Sequence, residues 1–228
     1  MAKSGITRKS HVRVGGTDWA LDLDNDFADW TVAGTISAPG EAVAGQSFVD
    51  KLFVSAERQI NIGRLLYGTN SKSFRDREEG YAFVIADPIG SAGAMWDGGP
   101  AIFMGLPEDA SVGNPAIVHT ASMLPADTWG AGDAYPFALT AADSDVELRA
   151  LAAGEVVYVI VTEAAGTLRL TNGADHVALP GAAARVLTPD VSALGTAAVV
   201  SIEAEPALAG QASAVGYVLI GSNYEEPV

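Results

Sequence analysis

Residues 155–162 read EVVYVIVT, an apolar run of β-branched and aromatic side chains of the kind that favours strands. Turn signals separate it from similar runs, and Asn172-Gly173 is the strongest short hairpin signal among them. Those other runs are VELRAL, GTLRLT, DHVALP, AARVLT, TAAVVSIEAE and SAVGYVLIGS. Seven short strands at regular spacing are typical of a sandwich or barrel, and we predict an all-β sandwich over residues 141–228.

The preceding 140 residues predict a second β unit. The stretch HVRVGGTDWALDL indicates a hairpin that turns at Gly15-Gly16, and residues 31–36 indicate a short strand. Three later runs, YAFVIADP, AIFMGL and AIVHTASML, predict further strands. Two Gly-rich segments, residues 90–100 and 125–136, are interpreted as loops. We place a boundary near residues 138–145, although this stretch reads equally well as a connection inside one larger sandwich.

The segment from Val43 to Thr69 is the one that favours a sizeable helix. Apolar residues from Val49 to Ile60 recur at spacings of three and four, which is one face of a helix. Alternation then predicts a strand from Gln59 to Tyr67. We therefore expect a mainly β fold: a β-sandwich or barrel domain over residues 1–140 with one flanking helix over Gln46–Arg58, and a C-terminal sandwich. Residues 1–10 are interpreted as a flexible arm.

Composition narrows the functional classes. The chain has 28 acidic and 13 basic residues, and its formal net charge is −15. Because nucleic-acid affinity comes mainly from Lys and Arg contacts with phosphates, a sequence-reading DNA-binding protein is disfavoured. There is no cysteine, which excludes disulfides and thiolate metal ligands. We find no secretion signal in the N-terminal residues and no apolar run that would span a membrane.

No residue pattern indicates catalysis, a cofactor or a metal. The sequence has neither a GxSxG elbow nor a phosphate-binding GxxxxGK[ST] loop, and His11, His119 and His176 lie far apart. The acidic stretch DLDND at residues 22–26 imitates a calcium loop, but Phe27 and Ala33 stand where that loop needs Gly and Glu. A solvated loop and an irregular calcium site formed by Asp22, Asp24, Asp26 and Asp29 remain the alternatives. The prediction is no catalytic, cofactor-binding or metal residue, and no enzyme.

Two tryptophans lie in the segments interpreted as loops. For Trp96 and Trp129 the alternatives are a contact with another protein, local packing, and ligand binding.

The layout resembles the major tail protein, or tail tube protein, of long-tailed bacteriophages. The resemblance rests on a short basic start (MAK), the hairpin at Gly15-Gly16, an acidic break, the strand from Trp30 to Ile36, the amphipathic segment and the β-rich C-terminal extension. It implies a β-sandwich or barrel with one helix, six copies in a ring, and rings stacked into a tube that conducts DNA without specific binding.

The resemblance also implies partners and a location. The partners are copies of the chain itself and other virion tail proteins, with no membrane, and the location is the virion after synthesis in the host cytoplasm. Residues 1–10 and the loop Lys72–Glu79 are the segments expected to reach a neighbouring ring. Two other roles remain open: a head decoration or other capsid-surface protein, and a β-sandwich carbohydrate-binding protein or enzyme.

Overall fold

A computed structural model describes residues 7–17, 19–22, 27–37, 55–66, 79–88, 93–104, 108–109, 118–139, 145–164, 167–179, 184–196, 199–204 and 214–224. The helical structure within these residues is a single 3₁₀ turn, Ser192–Leu194, and none of it has the length and apolar character of a membrane span. The described strands are β1 (Thr7–Gly16), β2 (Trp19–Asp22), β3 (Phe27–Ser37), β4 (Ser55–Leu66), β5 (Glu79–Pro88), β6 (Ala94–Met104), β7 (Glu108–Asp109), β8 (Val118–Pro125), β9 (Gly130–Leu139), β10 (Asp145–Ala150), β11 (Val156–Ala164), β12 (Leu168–Thr171), β13 (His176–Leu179), β14 (Arg185–Leu187), β15 (Val199–Ala204) and β16 (Ala214–Asn223). The predicted mainly β fold is confirmed.

The strands form two sheets. In the larger one the order is β14-β11-β16-β9-β6-β5-β1-β2, and its two ends approach each other because β2 contacts β14 and β11. The result is a nearly closed barrel. A branch leaves it where the second half of β6 pairs with β8, which in turn pairs with β4, and β4 pairs with β3. The smaller sheet has the order β10-β15-β12-β13.

Strands β9, β11 and β16 have apolar residues on both faces and separate two cores. On β11, Val157 and Val159 contribute to the core beneath the smaller sheet, whereas Tyr158 and Ile160 contribute to the barrel interior. Burial on both faces explains why the sequence of β11 is continuously apolar rather than alternating. Each large apolar side chain buried in this layer contributes on the order of 2 kcal/mol.

The barrel interior is filled by aromatic side chains. Phe83 and Trp96 meet edge to face with ring centroids 5.9 Å apart, and Tyr158 lies 5.0 Å from Phe83 and 5.6 Å from Trp96. The buried Arg13 places its guanidinium carbon 5.4 Å from the ring centroid of Tyr217, which is within the range of a cation–π contact. The described part of the barrel is therefore a packed core.

The structure corrects the predicted helix in part. Residues 55–58 belong to β4, which pairs with β3 from Ser37 opposite Ser55 to Phe27 opposite Leu65. Continuous pairing with β3 outweighs the local helical spacing, so the strand begins four residues before the predicted start at Gln59. Residues 46–54 of the predicted helix lie outside the described residues. The strand predicted to follow is confirmed as far as Leu66.

Both Gly-rich segments interpreted as loops contain strands, so this interpretation is wrong for residues 94–100 and 130–136. The glycines allow backbones to approach closely: a Cβ on Gly132 would collide with the carbonyl oxygen of Ile220, and one on Gly98 with that of Ala82. Gly98 also has φ of 144°, which other residues rarely adopt. A high glycine content, which we interpreted as a flexible loop, here reflects close contact between neighbouring strands.

Both predicted hairpins are confirmed. Gly16 pairs with Trp19 across the β1–β2 turn, and residues 172–175 join β12 to β13. In that second turn the Asn172 side chain accepts hydrogen bonds from the backbone N–H groups of Ala174 and Asp175, and Gly173 has φ of 90°. This chemistry is what makes Asn-Gly a turn signal.

Two further predictions concern the N-terminal arm and the division into two domains. Strand β1 begins at Thr7 and pairs with β5, so residues 7–10 of the predicted arm are strand, while residues 1–6 lie outside the described part. The larger sheet takes strands from both sides of residue 140, whereas the smaller sheet takes strands only from the C-terminal side. The division into domains 1–140 and 141–228 stays a prediction.

Replacing Gly132 by alanine is expected to destabilise the fold by about 1–3 kcal/mol, because the new methyl group meets backbone atoms that cannot rotate away. Urea unfolding followed by circular dichroism measures the change. The matched control is Gly93→Ala, where a Cβ meets nothing within 4 Å. Equal stability of the two variants would contradict the close approach.

Tyr158 is expected to make stability fall at high pH. Burial, with smaller contributions from Tyr81 and Asp127, raises its pKa from 10.0 to about 12. Between these values the unfolded chain loses the phenol proton and the folded chain keeps it, so the free energy of unfolding falls by at most about 1.4 kcal/mol per pH unit. Below pH 10 the contribution is complete. Unfolding measured from pH 9 to 12 should show a shallower decline in Tyr158→Phe, and identical declines would refute this assignment.

Candidate functional site

The three histidines lie on different strands. His11 lies on β1, opposite Ile85 of β5. His119 lies on β8, between Leu65 of β4 and Glu108 of β7, and His176 lies on β13, opposite Thr171 of β12. Among the described residues, no group of three or more His, Asp or Glu side chains is placed to hold a metal ion. The structure does not bring these histidines together.

The acidic stretch is divided between strands. Asp22 stands opposite Arg13 in the β1–β2 ladder, and Asp29 stands opposite Arg64 in the β3–β4 ladder. Asp24 and Asp26 lie outside the described residues. The described part of the stretch is thus strand rather than one continuous loop, and the irregular calcium site remains untested.

Trp96 and Trp129 are both buried, so of the three alternatives local packing is the one observed. The indole Nε1–H of Trp96 donates to the carbonyl oxygen of Ile220 at 3.2 Å, and that of Trp129 donates to the carbonyl oxygen of Pro100 at 2.8 Å. Each side chain is therefore satisfied within the chain.

Trp129 lies at the place where the sheet branches. The backbone N–H of Ala126 donates to the same Pro100 carbonyl at 3.0 Å, and the N–H of Tyr224 donates to the carbonyl of Trp129 at 2.7 Å. The Tyr224 hydroxyl donates to a carboxylate oxygen of Asp97 at 3.0 Å. These bonds connect β6, the β8–β9 connection and the end of β16, and so fix the direction in which the branch leaves the barrel.

A groove of about 400 Å³ lies beside the start of β11, lined by residues 151–158, 188–192 and 195–196. Its described lining contains two carboxylates, and both are engaged within the chain. Glu155 receives a two-point contact from Arg149, and Asp190 accepts the backbone N–H of Ser192 at 3.0 Å. The groove therefore presents no acid and base that converge on a common point.

Within the described part of the chain, an ionic network connects β10, β9 and Glu155, the residue just before β11. Arg149 on β10 donates through Nε to Asp133 on β9 at 2.8 Å, and through its two terminal nitrogens to Glu155 at 2.8 and 2.5 Å. The backbone N–H of Ala152 also donates to Glu155 at 2.6 Å. Because the network joins the smaller sheet to the barrel strands, its role is structural orientation of one sheet against the other.

The network also shifts pKa values. Hydrogen bonds from Arg149, against an opposing effect of burial, lower the pKa of Glu155, and the same contacts raise the pKa of Arg149. Burial and the nearby Asp133 carboxylate raise the pKa of Tyr135. Sequence reasoning did not find this cluster. Its members are separated by six and 16 positions along the chain, and no local pattern indicates that strand pairing brings them together.

Replacing Arg149 by methionine is expected to cost about 1–2 kcal/mol at pH 7, since the network is partly exposed and loses three hydrogen bonds to carboxylates and one to the carbonyl oxygen of Ala150. Urea unfolding at pH 7 and pH 4 measures this cost. The contribution of Glu155 is complete above its ordinary pKa of 4.5 and is lost as the pH falls through its lowered value in the folded chain. Glu155→Gln should therefore flatten the acid dependence. Unchanged stability of Arg149→Met at pH 7 would contradict the structural role.

The chain matches no protein-family model and no curated protein. A solved structure that it resembles is the Dit protein of phage SPP1, described as a paradigm of the hub adsorption apparatus in phages that infect Gram-positive bacteria. The alignment covers 93% of this chain and 99% of that chain at 9% identity, with a TM-score of 0.29. A TM-score this low carries no argument about the fold or the role of this chain.

Proposed function

We propose that this chain is a structural protein of a bacteriophage virion, whose copies form rings that stack into the tube of a long tail and conduct DNA. The observation that carries the proposal is the packed barrel. Phe83, Trp96 and Tyr158 fill the interior of the described barrel, so that barrel leaves no passage for DNA. A conduit made of such chains has to lie between several copies arranged in a ring.

The charge of the chain supports a conduit for DNA rather than a DNA-binding protein. At a net charge of −15, with few Lys and Arg residues, a surface facing DNA makes few phosphate contacts. It therefore releases few counterions and retains the duplex weakly. A tube that must let DNA pass needs this property.

The described polar groups favour a structural role over an enzyme or a glycan-binding protein. The two carboxylates in the described groove are engaged, and the two tryptophans that could have stacked on a sugar are buried and hydrogen-bonded. The ionic network of Arg149, Asp133 and Glu155 joins the two sheets to one another. Each of these groups makes its described contacts within the chain, and these contacts stabilise the fold.

Electron microscopy of the purified full chain over a range of concentrations tests the proposal. Rings, or tubes of uniform diameter, are the expected result. Small discrete oligomers that bind preformed heads would favour a head decoration or other capsid-surface protein. A monomer at every concentration that binds a glycan would refute both structural roles. Light scattering on the same samples separates ordered assembly from non-specific aggregation.

A further inference from the structure

The β12–β13 turn contains the only Asn-Gly pair in the sequence, Asn172-Gly173. In such a pair the backbone nitrogen of the glycine can attack the side-chain amide of the asparagine, because glycine has no side chain that would shield its nitrogen. The turn lies at the surface, where Gly173 is exposed and Asn172 is half-buried, so water reaches the pair. The two residues therefore carry a reactivity that their role in the hairpin does not use.

The folded turn holds both reacting groups. The backbone N–H of Gly173 donates to the hydroxyl oxygen of Thr171 at 3.0 Å, and that hydroxyl donates to the carbonyl of Asp175 at 2.8 Å. The side-chain oxygen of Asn172 accepts the N–H groups of Ala174 at 2.9 Å and Asp175 at 2.7 Å. Two donors on this carbonyl oxygen favour attack at its carbon. The bound N–H of Gly173 opposes the attack, because the nitrogen reacts only after it has lost that proton.

The amide nitrogen of the same side chain holds a second turn. Nδ2–H of Asn172 donates to the carbonyl of Leu194, 22 positions away in the sequence, at 2.9 Å. Leu194 ends the 3₁₀ turn Ser192–Leu194 and is buried in the core beneath the smaller sheet. Residues 192 and 195 of this segment line the groove beside β11. The Asn172 amide thus connects the β12–β13 turn to a segment that contributes to both the core and the groove.

We propose that Asn172 is a site of spontaneous deamidation, that opening of the β12–β13 turn sets its rate, and that the product releases the turn Ser192–Leu194. The Gly173 nitrogen gives its proton to hydroxide and forms a bond to Cγ of Asn172. The Cγ–Nδ2 bond then breaks as Nδ2 takes a proton from water and leaves as ammonia. Water opens the resulting cyclic imide, which leaves aspartate or isoaspartate at position 172. The reaction needs only water, so this inference does not rest on the proposed function.

The product lacks the group that holds the second turn. A carboxylate at position 172 still accepts the N–H groups of Ala174 and Asp175, but it has no N–H to donate to Leu194. Its negative charge also lies beside the carbonyl oxygen of Leu194, and the two repel each other. Isoaspartate adds a backbone atom to a turn that is closed by the bond from the N–H of residue 172 to the Asp175 carbonyl at 3.1 Å. Deamidation therefore loosens the segment at Leu194.

Mass spectrometry of the full chain at pH 8 tests the rate. Deamidation of Asn172 should be at least about tenfold slower in the folded chain than in the same chain unfolded in urea, because the closed turn keeps the proton on the attacking nitrogen. Thr171→Val removes the hydroxyl and should react about fivefold faster than the folded parent, whereas Thr171→Ser keeps the hydroxyl and should match it. Circular dichroism checks the fold of each variant. Equal rates in the folded and unfolded parent, or in the two variants, would overturn the proposal.

Hydrogen exchange tests the consequence for the second turn. In Asn172→Asp, the backbone amides of residues 194 and 195, which close the 3₁₀ turn, should exchange about fivefold faster, while those of residues 174 and 175 keep their protection. The matched control is Asn223→Asp, which makes the same change in charge at an exposed residue and should leave all four amides unchanged. If the two variants exchange equally at residues 194 and 195, the Asn172 amide does not hold this turn and the proposed release is wrong.

Discussion

Burial of both faces of β9, β11 and β16 is the constraint on which the rest of the fold depends. A sheet that packs on one side tolerates polar residues on the other, but the buried parts of these three strands are apolar on both faces. Phe137, Val159 and Val218 face the smaller sheet, and Ala134, Ile160 and Leu219 face the barrel interior. A polar substitution in this layer would disturb one core directly and the other through the shared backbone. The Arg149 network lies beside the layer and sets how the two sheets meet.

The sequence predicted the fold class because alternation, apolar runs and Asn-Gly turns are local properties. It could not predict the two Gly-rich strands, since glycine has the same composition signal in a flexible loop and in a strand that approaches its neighbour closely. Gly132 differs from a loop glycine only through its contact with Ile220, which lies 88 positions away in the β9–β16 ladder. The start of β4 was also not predictable, because residues 55–58 have a helical spacing and their pairing with β3 is not visible in the local sequence.

The polar features were less predictable than the strands. For Trp96 and Trp129 the sequence left a protein contact, local packing and ligand binding open, because neighbouring residues do not decide between them. Their partners are carbonyl groups that strand pairing brings close. The ionic network of Arg149 has no local signature at all. What composition did convey is the acidic surface and the absence of a familiar catalytic motif, and both are consistent with a chain whose polar groups organise its own structure.

The position of β16 has a consequence for how this protein comes to be folded. Although it is the last described strand to leave the ribosome, it lies between β9 and β11 and contributes Val218 and Leu219 to opposite cores. Neither core is complete without β16, so before its synthesis the larger sheet lacks the strand between β9 and β11. Contacts this distant in sequence form slowly. Synthesis therefore delays the finished fold until β16 has been made, and a chain that lacks β16 has neither core complete.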